Sequence, residues 1–301
     1  MRLSFQGQPF DLHTTLFSGQ NFRWRKICER YTGVVFGNVL DVRLDGGGLA
    51  YTSYPHLDSI MLPLLRDYFS LDFDIDAVYD SISKDNHIRV AIERYRGMRI
   101  LRQDLWETVV SFLCAQASNV PRITKNVEDM CESFGSEIGL GRHNYPTPEQ
   151  LASAGENALR EIGLGYRAKF LVDTARCVAD SEIQLTQLRT ASYDDALASL
   201  LMLNGVGDKV ANCILLFALD KPSAFPVDTW IQKMLQQWYL GQKKTGLKRM
   251  RMWAQDYFGQ HAGYANQYIF HSSRSFFGGC RGAVTTTKIK HNFSAPKHER
   301  N

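Results

Sequence analysis

From Gln103 to Phe277 one helical segment follows another, among them Gln103 to Ser118 and Tyr166 to Asp180, with apolar residues at helical spacing and only short breaks between. Side chains at that period share one face of a helix, so this long stretch must fold as a helical body. Thr147-Pro148-Glu149-Gln150 marks one of its helix starts, with a capping Thr, a first-position proline and a glutamine three residues after the cap. The start of the chain differs. Between Tyr31 and Tyr54 the residues alternate, Val39 to Leu44 and then Leu49 to Thr52, around Asp45-Gly46-Gly47-Gly48, as strands joined by a glycine-rich turn do. From about Asp58 the pattern turns helical. The expected fold class is α+β, a small antiparallel sheet followed by an all-α remainder. The boundaries read as 1–95 for the sheet domain with flanking helices, 96–280 for the helical body and 281–301 for a loose polar tail.

With 301 residues, 44% of them hydrophobic, the chain can bury a sizeable core without covalent staples. Neither a run of about 18 apolar residues nor a basic start followed by an apolar block occurs, so a soluble, intracellular protein is expected, in the cytoplasm or nucleoid of a prokaryote or the nucleus of a eukaryote. Cys28, Cys114, Cys131, Cys177, Cys213 and Cys280 are scattered and form no Cys-x-x-Cys pair, which argues for reduced thiols and against a zinc site. Asp72, Asp74 and Asp76 imitate the start of a calcium loop, yet Ala77 stands where glycine is needed and Ser83 where glutamate is, so a helix cap or solvated loop is the better reading. No metal is expected in the chemistry. Of the formal charge of +4, the tail from Arg281 onward holds five basic residues and one acidic, leaving 30 of each sign before it. A basic tail on a neutral body permits nucleic-acid binding without requiring it.

The segment richest in chemistry is Leu203-Asn204-Gly205-Val206-Gly207-Asp208-Lys209-Val210-Ala211-Asn212-Cys213, an apolar helix, a tight turn and a second helix across 192–219. Two glycines around one apolar residue allow a sharp turn, and the next helix opens with unpaired N–H groups that suit a phosphate. That is a helix-hairpin-helix clamp on a DNA backbone, with an ordinary turn between helices as the plainer alternative. Lys209 lies in the first turn of the second helix, and Asp228 follows 19 residues later in Pro226-Val227-Asp228, opening a helix expected to run to Tyr239. Taken singly, Lys209 reads as a phosphate ligand and Asp228 as an N-cap.

Together, Gly205-Val206-Gly207-Asp208-Lys209 and Pro226-Val227-Asp228 resemble the helix-hairpin-helix (HhH-GPD) DNA glycosylase superfamily, with the lysine of its bifunctional glycosylase/lyase branch. Ser18-Gly19-Gln20-Asn21-Phe22-Arg23-Trp24, Leu164-Gly165-Tyr166-Arg167-Ala168 and Ala218-Leu219-Asp220-Lys221-Pro222 resemble, in order, segments of the 8-oxoguanine DNA glycosylases. The likeness covers roughly residues 10 to 278 and implies an N-terminal antiparallel-sheet domain packed on a helical HhH-GPD body. The iron–sulfur branch is disfavoured, because only Cys280 follows Cys213 where four closely spaced cysteines are needed. A zinc base deaminase is likewise excluded, since its His-x-Glu and Cys-x-x-Cys are missing.

The resemblance implies that Lys209 attacks C1′ of the sugar of an extruded nucleotide and forms an imine that permits β-elimination, while Asp228 stabilises developing positive charge and assists proton movement. Intact guanine presents an acceptor at N7 where 8-oxoguanine carries a hydrogen, so a fixed carbonyl distinguishes them; in the family that carbonyl belongs to the glycine matching Gly19. Cys213 and Phe270 match the two faces of the base sandwich, and Pro226 lies at the same pocket. On periodicity alone Cys213 and Phe217 are core residues sharing a helical face with Lys209, and Phe217 stands where familiar members have methionine. Asn266 replaces a glutamine that reads the base edge, and Trp230 a histidine that meets phosphate. Tyr166 and Arg167 match the wedge and the opposite-base reader. Asn119 and Arg122 match DNA contacts, as do the hairpin residues Gly205, Val206, Gly207 and Val210. Ala117-Ser118-Asn119 stands where eukaryotic members have three asparagines, from which tolerance of opposite bases other than cytosine is expected.

The implied partner is duplex DNA carrying 8-oxoguanine opposite cytosine, bound by a monomer without a membrane and without a cofactor; a structural cation at the hairpin is left open. Two alternatives remain at this level: a glycosylase/lyase for another oxidised base, and a non-catalytic damage-binding protein, which would have no need of a Lys209–Asp228 pair.

Overall fold

A computed structural model describes residues 1–241 and 245–278, with side chains described through 273. The tail 281–301, with Lys288, Lys290 and Lys297, and Cys280 lie outside the described residues. Strands β1 (Arg2–Ser4), β2 (Arg25–Ile27), β3 (Arg30–Val35), β4 (Asn38–Asp45) and β5 (Gly48–Tyr54) form one antiparallel sheet in the order β1-β5-β4-β3-β2. Asp45 pairs with Gly48 across Gly46 and Gly47, whose φ values of +47° and +87° give the two-residue turn expected between twisted strands. The β3–β4 turn, at Phe36 and Gly37, is also left-handed, with Val35 opposite Asn38. Short β1 and β2 escaped the sequence reading, because three residues are too few to display a period of two.

One face of the sheet buries Leu3, Leu40, Val42, Leu49 and Tyr51 against Leu12 and Leu16 of helix Leu12–Phe17 and Met61, Leu65 and Tyr68 of helix Asp58–Tyr68. The second core gathers the helical body. Helices Ile75–Ile82 and Asn86–Arg94, grouped by sequence with the sheet domain in 1–95, bury Ile75, Val78, Ile88 and Ile92 in this second core. Asp74 caps the first of these helices through the backbone N–H of Asp76, at 2.9 Å, the role expected of that acidic cluster. Thr147 and Gln150 cap helix Pro148–Glu161 reciprocally.

The expectation of an all-α remainder needs correction. Glu137–Gly139 and Arg142–His143 form a small two-stranded ladder. Leu140 and Gly141 close it with φ of +55° and +65°, and Gly139 lies so close to the Tyr54 ring that a Cβ there would come within 2.4 Å. The helix expected from Asp228 to Tyr239 is also shorter, α-helical over Thr229–Leu235 and then widening to a π-turn over Gln236–Leu240.

The two cores meet along a buried polar seam. Gln20, 1% exposed, donates to the carbonyls of Thr15 and Arg99, both at 2.8 Å, and accepts from the Leu101 N–H at 2.9 Å. Gln103 donates to the Gln20 carbonyl at 2.8 Å, and its own N–H reaches the Phe217 carbonyl at 2.8 Å. This seam fixes the segment carrying Gly19 against the helices that carry the other candidate residues.

Candidate active site

Helix Tyr193–Leu201, the turn at 203–207 and helix Asp208–Phe217 build the hairpin. The two glycines do different work. Gly205 has φ +82° and faces the Phe170 ring, where a Cβ would lie 2.4 Å from the nearest carbon; its carbonyl accepts from Gln116 Nε2 at 3.0 Å. Gly207 is extended, caps the second helix and leaves open space where a side chain would stand, so its backbone is free for close approach by a phosphate. Val206 and Val210 are buried, seating the turn in the body, so any DNA contact they make is through main chain. The carbonyls of Leu203 and Gly205 each accept one hydrogen bond, which leaves each a lone pair for the cation left open above.

Lys209 is half-buried, with Nζ 5.0 Å from the centroid of the Phe112 ring. With the Cys213 thiol and the Asp228 carboxylate it borders one cavity. Asp228 caps helix Thr229–Leu235, one oxygen accepting from the N–H groups of Trp230 and Ile231 at 2.9 and 2.8 Å. The N-cap role of Asp228 and its place beside Lys209 are thus compatible, since capping fixes the carboxylate while its charge faces Lys209. Burial pushes the Asp228 carboxyl above the ordinary value, opposed by the Ile231 N–H, Lys209 and the Trp230 N–H. Burial also raises the Cys213 thiol, with Lys209 the main opposing influence, so Cys213 is a neutral wall of the site and not a thiolate nucleophile.

A cleft of about 730 Å³ brings Lys209, Asp228, Gly19, Phe270, Trp230 and Asn119 together. At its inner end a cavity of about 60 Å³ is bordered by Gly19, Cys213, Phe217, Pro226, Asn266 and Phe270. Gly19, with φ +88°, is held from both sides: the Ser18 carbonyl accepts from Gln267 Nε2 at 3.2 Å, and the Gln20 carbonyl from Gln103. Its neighbours' carbonyls are therefore engaged by the protein in a rigid frame around it. Asn266 spends its amide nitrogen on the Pro226 carbonyl at 2.8 Å, tying the floor of the cavity to the Asp228 loop. Phe217 stacks on Phe112 at 5.4 Å, so the residue that replaces methionine extends an aromatic wall under the lysine.

Phe112 and Gln267 were not singled out in the sequence. Phe112 sits in an apolar helix, Leu105–Cys114, where nothing distinguishes it from its core neighbours, and Gln267 gains meaning only from its partner 249 residues away.

Of the expected DNA contacts outside the hairpin, Asn119 and Trp230 border the cleft, whereas Arg122, Tyr166 and Arg167 do not. Arg122 is exposed, reaching the Gly163 carbonyl at 3.4 Å, and Asn119 caps its helix through the Arg122 N–H at 3.1 Å. Tyr166, 49% exposed, packs edge-on against Phe170. Arg167, matched by the resemblance to the opposite-base reader, is held by main-chain carbonyls. It is 5% exposed and donates to the carbonyls of Gln116, Ala117 and Leu164, the first at 2.7 Å through Nε. Ala117, at φ +45°, turns the chain so that these carbonyls converge on the guanidinium.

Residues 2–109 match the model of the 8-oxoguanine DNA glycosylase N-terminal domain, and residues 110–255 that of the HhH-GPD superfamily base excision DNA repair protein. An N-glycosylase/DNA lyase of Saccharomyces cerevisiae is 30% identical, over 96% of this chain and 89% of that protein. The N-glycosylase/DNA lyase OGG1 of Arabidopsis thaliana is 32% identical, over 86% and 76%. The 8-oxoguanine glycosylase/lyase of Clostridium acetobutylicum, crystallised with double-stranded DNA containing cytosine opposite 8-oxoguanine, superposes with a TM-score of 0.84 at 30% identity, over 89% of this chain and 92% of that one. With its hairpin, its lysine and its N-terminal sheet accounted for along nearly the whole length, the chain belongs to the 8-oxoguanine DNA glycosylase family of helix-hairpin-helix base excision repair proteins.

Proposed function

We propose that the protein excises 8-oxoguanine from duplex DNA and then cleaves the strand at the abasic site, with Lys209 as nucleophile and Asp228 as its electrostatic partner. The observation that carries this reading is the convergence of Lys209, Asp228 and Gly19 on one cleft whose inner cavity is walled by Phe270 and Cys213. The neutral Lys209 nitrogen bonds to C1′ as the bond from C1′ to the base breaks, and the departing base takes up a proton. The nitrogen lone pair then expels the ring oxygen, which takes up a proton, and the opened sugar is held as a protonated imine. A proton then leaves C2′, the C3′–oxygen bond breaks with release of the strand, and water hydrolyses the imine to free the lysine. Asp228 stabilises positive charge on the sugar during the first step. Its position at a helix start, anchored by two N–H groups, keeps it from collapsing onto the ammonium.

Borohydride reduction on an 8-oxoguanine:cytosine duplex tests this. The wild type is expected to give a covalent adduct and Lys209→Gln none; an adduct that survives Lys209→Gln overturns the nucleophile assignment. Because the Arg167 donors are given to main-chain carbonyls, single-turnover excision opposite C, A, G and T is expected to vary by less than about tenfold, given that one good bidentate base contact discriminates by about 1–3 kcal/mol. A strong requirement for cytosine would show that Arg167 leaves those carbonyls on binding DNA. Among the described residues no helix is long and apolar enough to cross a membrane.

A further inference from the structure

Behind the lysine helix, on residues that do not border the cleft, lies a closed polar ring. Arg251, on helix Leu247–Phe258 and 5% exposed, donates through Nε to both oxygens of Asp208 at 3.1 Å. Its Nη1 donates to the Tyr193 hydroxyl and to Gln255 Oε1, each at 2.9 Å. The Tyr193 hydroxyl donates to Asn212 Oδ1 at 2.7 Å, and Asn212 Nδ2 returns to the Asp208 carbonyl at 2.8 Å. Two branches reach the segment leading to Asp228: the Phe225 N–H donates to Asn212 Oδ1 at 3.3 Å, and Gln255 Nε2 donates to the Ser223 carbonyl at 2.9 Å.

A buried arginine is costly to desolvate, and a buried ion pair gives little net stability. Its geometric effect here is specific. Asp208 immediately precedes Lys209, and Asn212 is fully buried one turn later, so the ring grips the lysine helix on either side of Lys209 and the Asp228 segment at two more points. Displacement by about 1 Å can slow an oriented reaction by roughly a hundredfold without altering the grip on the substrate. We infer that Arg251, Tyr193 and Asn212 are positioning residues that set Lys209 against Asp228, acting through Asp208 and the loop before Asp228. This rests on the lyase reading of Lys209 given above.

The test uses the full chain, borohydride trapping on a duplex with a natural abasic site, and equilibrium binding to a duplex carrying a tetrahydrofuran site. Arg251→Met is expected to trap at least tenfold more slowly at saturating duplex, with Kd changed less than twofold. Tyr193→Phe, which keeps the ion pair and cuts the link to Asn212, is expected to trap about threefold more slowly. Arg251→Lys, retaining the charge without the planar fork, should recover only part of the rate. Leu65→Ala in the sheet core serves as the destabilised control, assayed well below its melting temperature. Wild-type rates in Tyr193→Phe and in folded Arg251→Met overturn the inference, as does a rate loss matched by the control or carried by Kd. If Arg251→Met does not fold, Tyr193→Phe and Arg251→Lys decide. A wild type that cannot be trapped on any duplex sinks the lyase reading itself, whereas an active wild type with indifferent variants sinks only the positioning role.

Discussion

Asp228 accepts two backbone hydrogen bonds and faces a lysine, yet burial still lifts its carboxyl above the ordinary range. The two requirements on it separate cleanly in Asp228→Asn. Asparagine keeps an oxygen for the cap, so the helix start survives, while the buried charge is lost. Excision is expected to fall by about a hundredfold, the scale for removing one preorganised electrostatic group. Stability at neutral pH should be unchanged or higher. The sign follows from linkage: a carboxyl whose folded pKa is raised opposes folding once the unfolded state ionises, and that opposition builds as pH rises through the window between the two pKa values. Wild-type activity needs the ionised form, so its acid limb should lie above the usual carboxylate range and be missing from the residual activity of Asp228→Asn. A pH–rate profile of both proteins, with melting curves at the same pH values, checks this; identical acid limbs would assign the titration to another group. The chemistry of Lys209 and Asp228 was legible because type and spacing coincide with a motif. Phe112 beneath the lysine was not, since packing partners from another helix leave no mark on a single sequence.

At the scale of the element, Gly205-Val206-Gly207 reads as one motif but holds two unlike residues. Gly205 needs its left-handed φ and the space filled by Phe170, whereas Gly207 is extended and open. Gly205→Ala combines backbone strain of about 1–2 kcal/mol with a ring contact that must give way, and should destabilise the protein by about 2–4 kcal/mol. Gly207→Ala should cost about 1 kcal/mol, the difference between glycine and alanine at an N-cap, and weaken binding to undamaged duplex, because the added methyl stands where the backbone meets phosphate. Urea unfolding and duplex titration separate the two; equal destabilisation by both would mean that the turn is held as a unit. The sequence could announce the turn, but Phe170 lies on helix Arg167–Ala179, and only the assembled structure assigns the glycines their different tasks. The same limit applies to Arg167, whose motif match says nothing of the carbonyls that the turn at Ala117 directs toward it.

Across the whole molecule, the division into sheet and helices was written in the change from alternating to helical periodicity, whereas the joint between them was not. Gln20 lies in a short glycine-containing segment with no period, and its partners Arg99, Leu101 and Gln103 are about eighty residues distant. Its side chain locks the sheet domain to the helical body while its carbonyl takes a hydrogen bond that helps to fix Gly19. Gln20→Leu keeps the approximate volume, strands the Arg99 carbonyl and the Leu101 N–H, each at about 1–3 kcal/mol, and leaves the Thr15 carbonyl with the Ser18 hydroxyl as its donor. Shared relaxation keeps such losses from adding in full, so destabilisation of about 3–5 kcal/mol is expected. The hairpin turn at 203–207 holds none of the Gln20 partners, which gives the variant a sharper signature than instability. Affinity for undamaged duplex should stay within twofold of wild type, while the preference for excising 8-oxoguanine over guanine should fall several-fold as the Gly19 carbonyl loses its fixed direction. Competition between the two bases in one reaction, at a temperature where the variant remains folded, measures that preference directly. Retained selectivity alongside lowered stability would restrict Gln20 to joining the domains and place the discrimination elsewhere in the cavity.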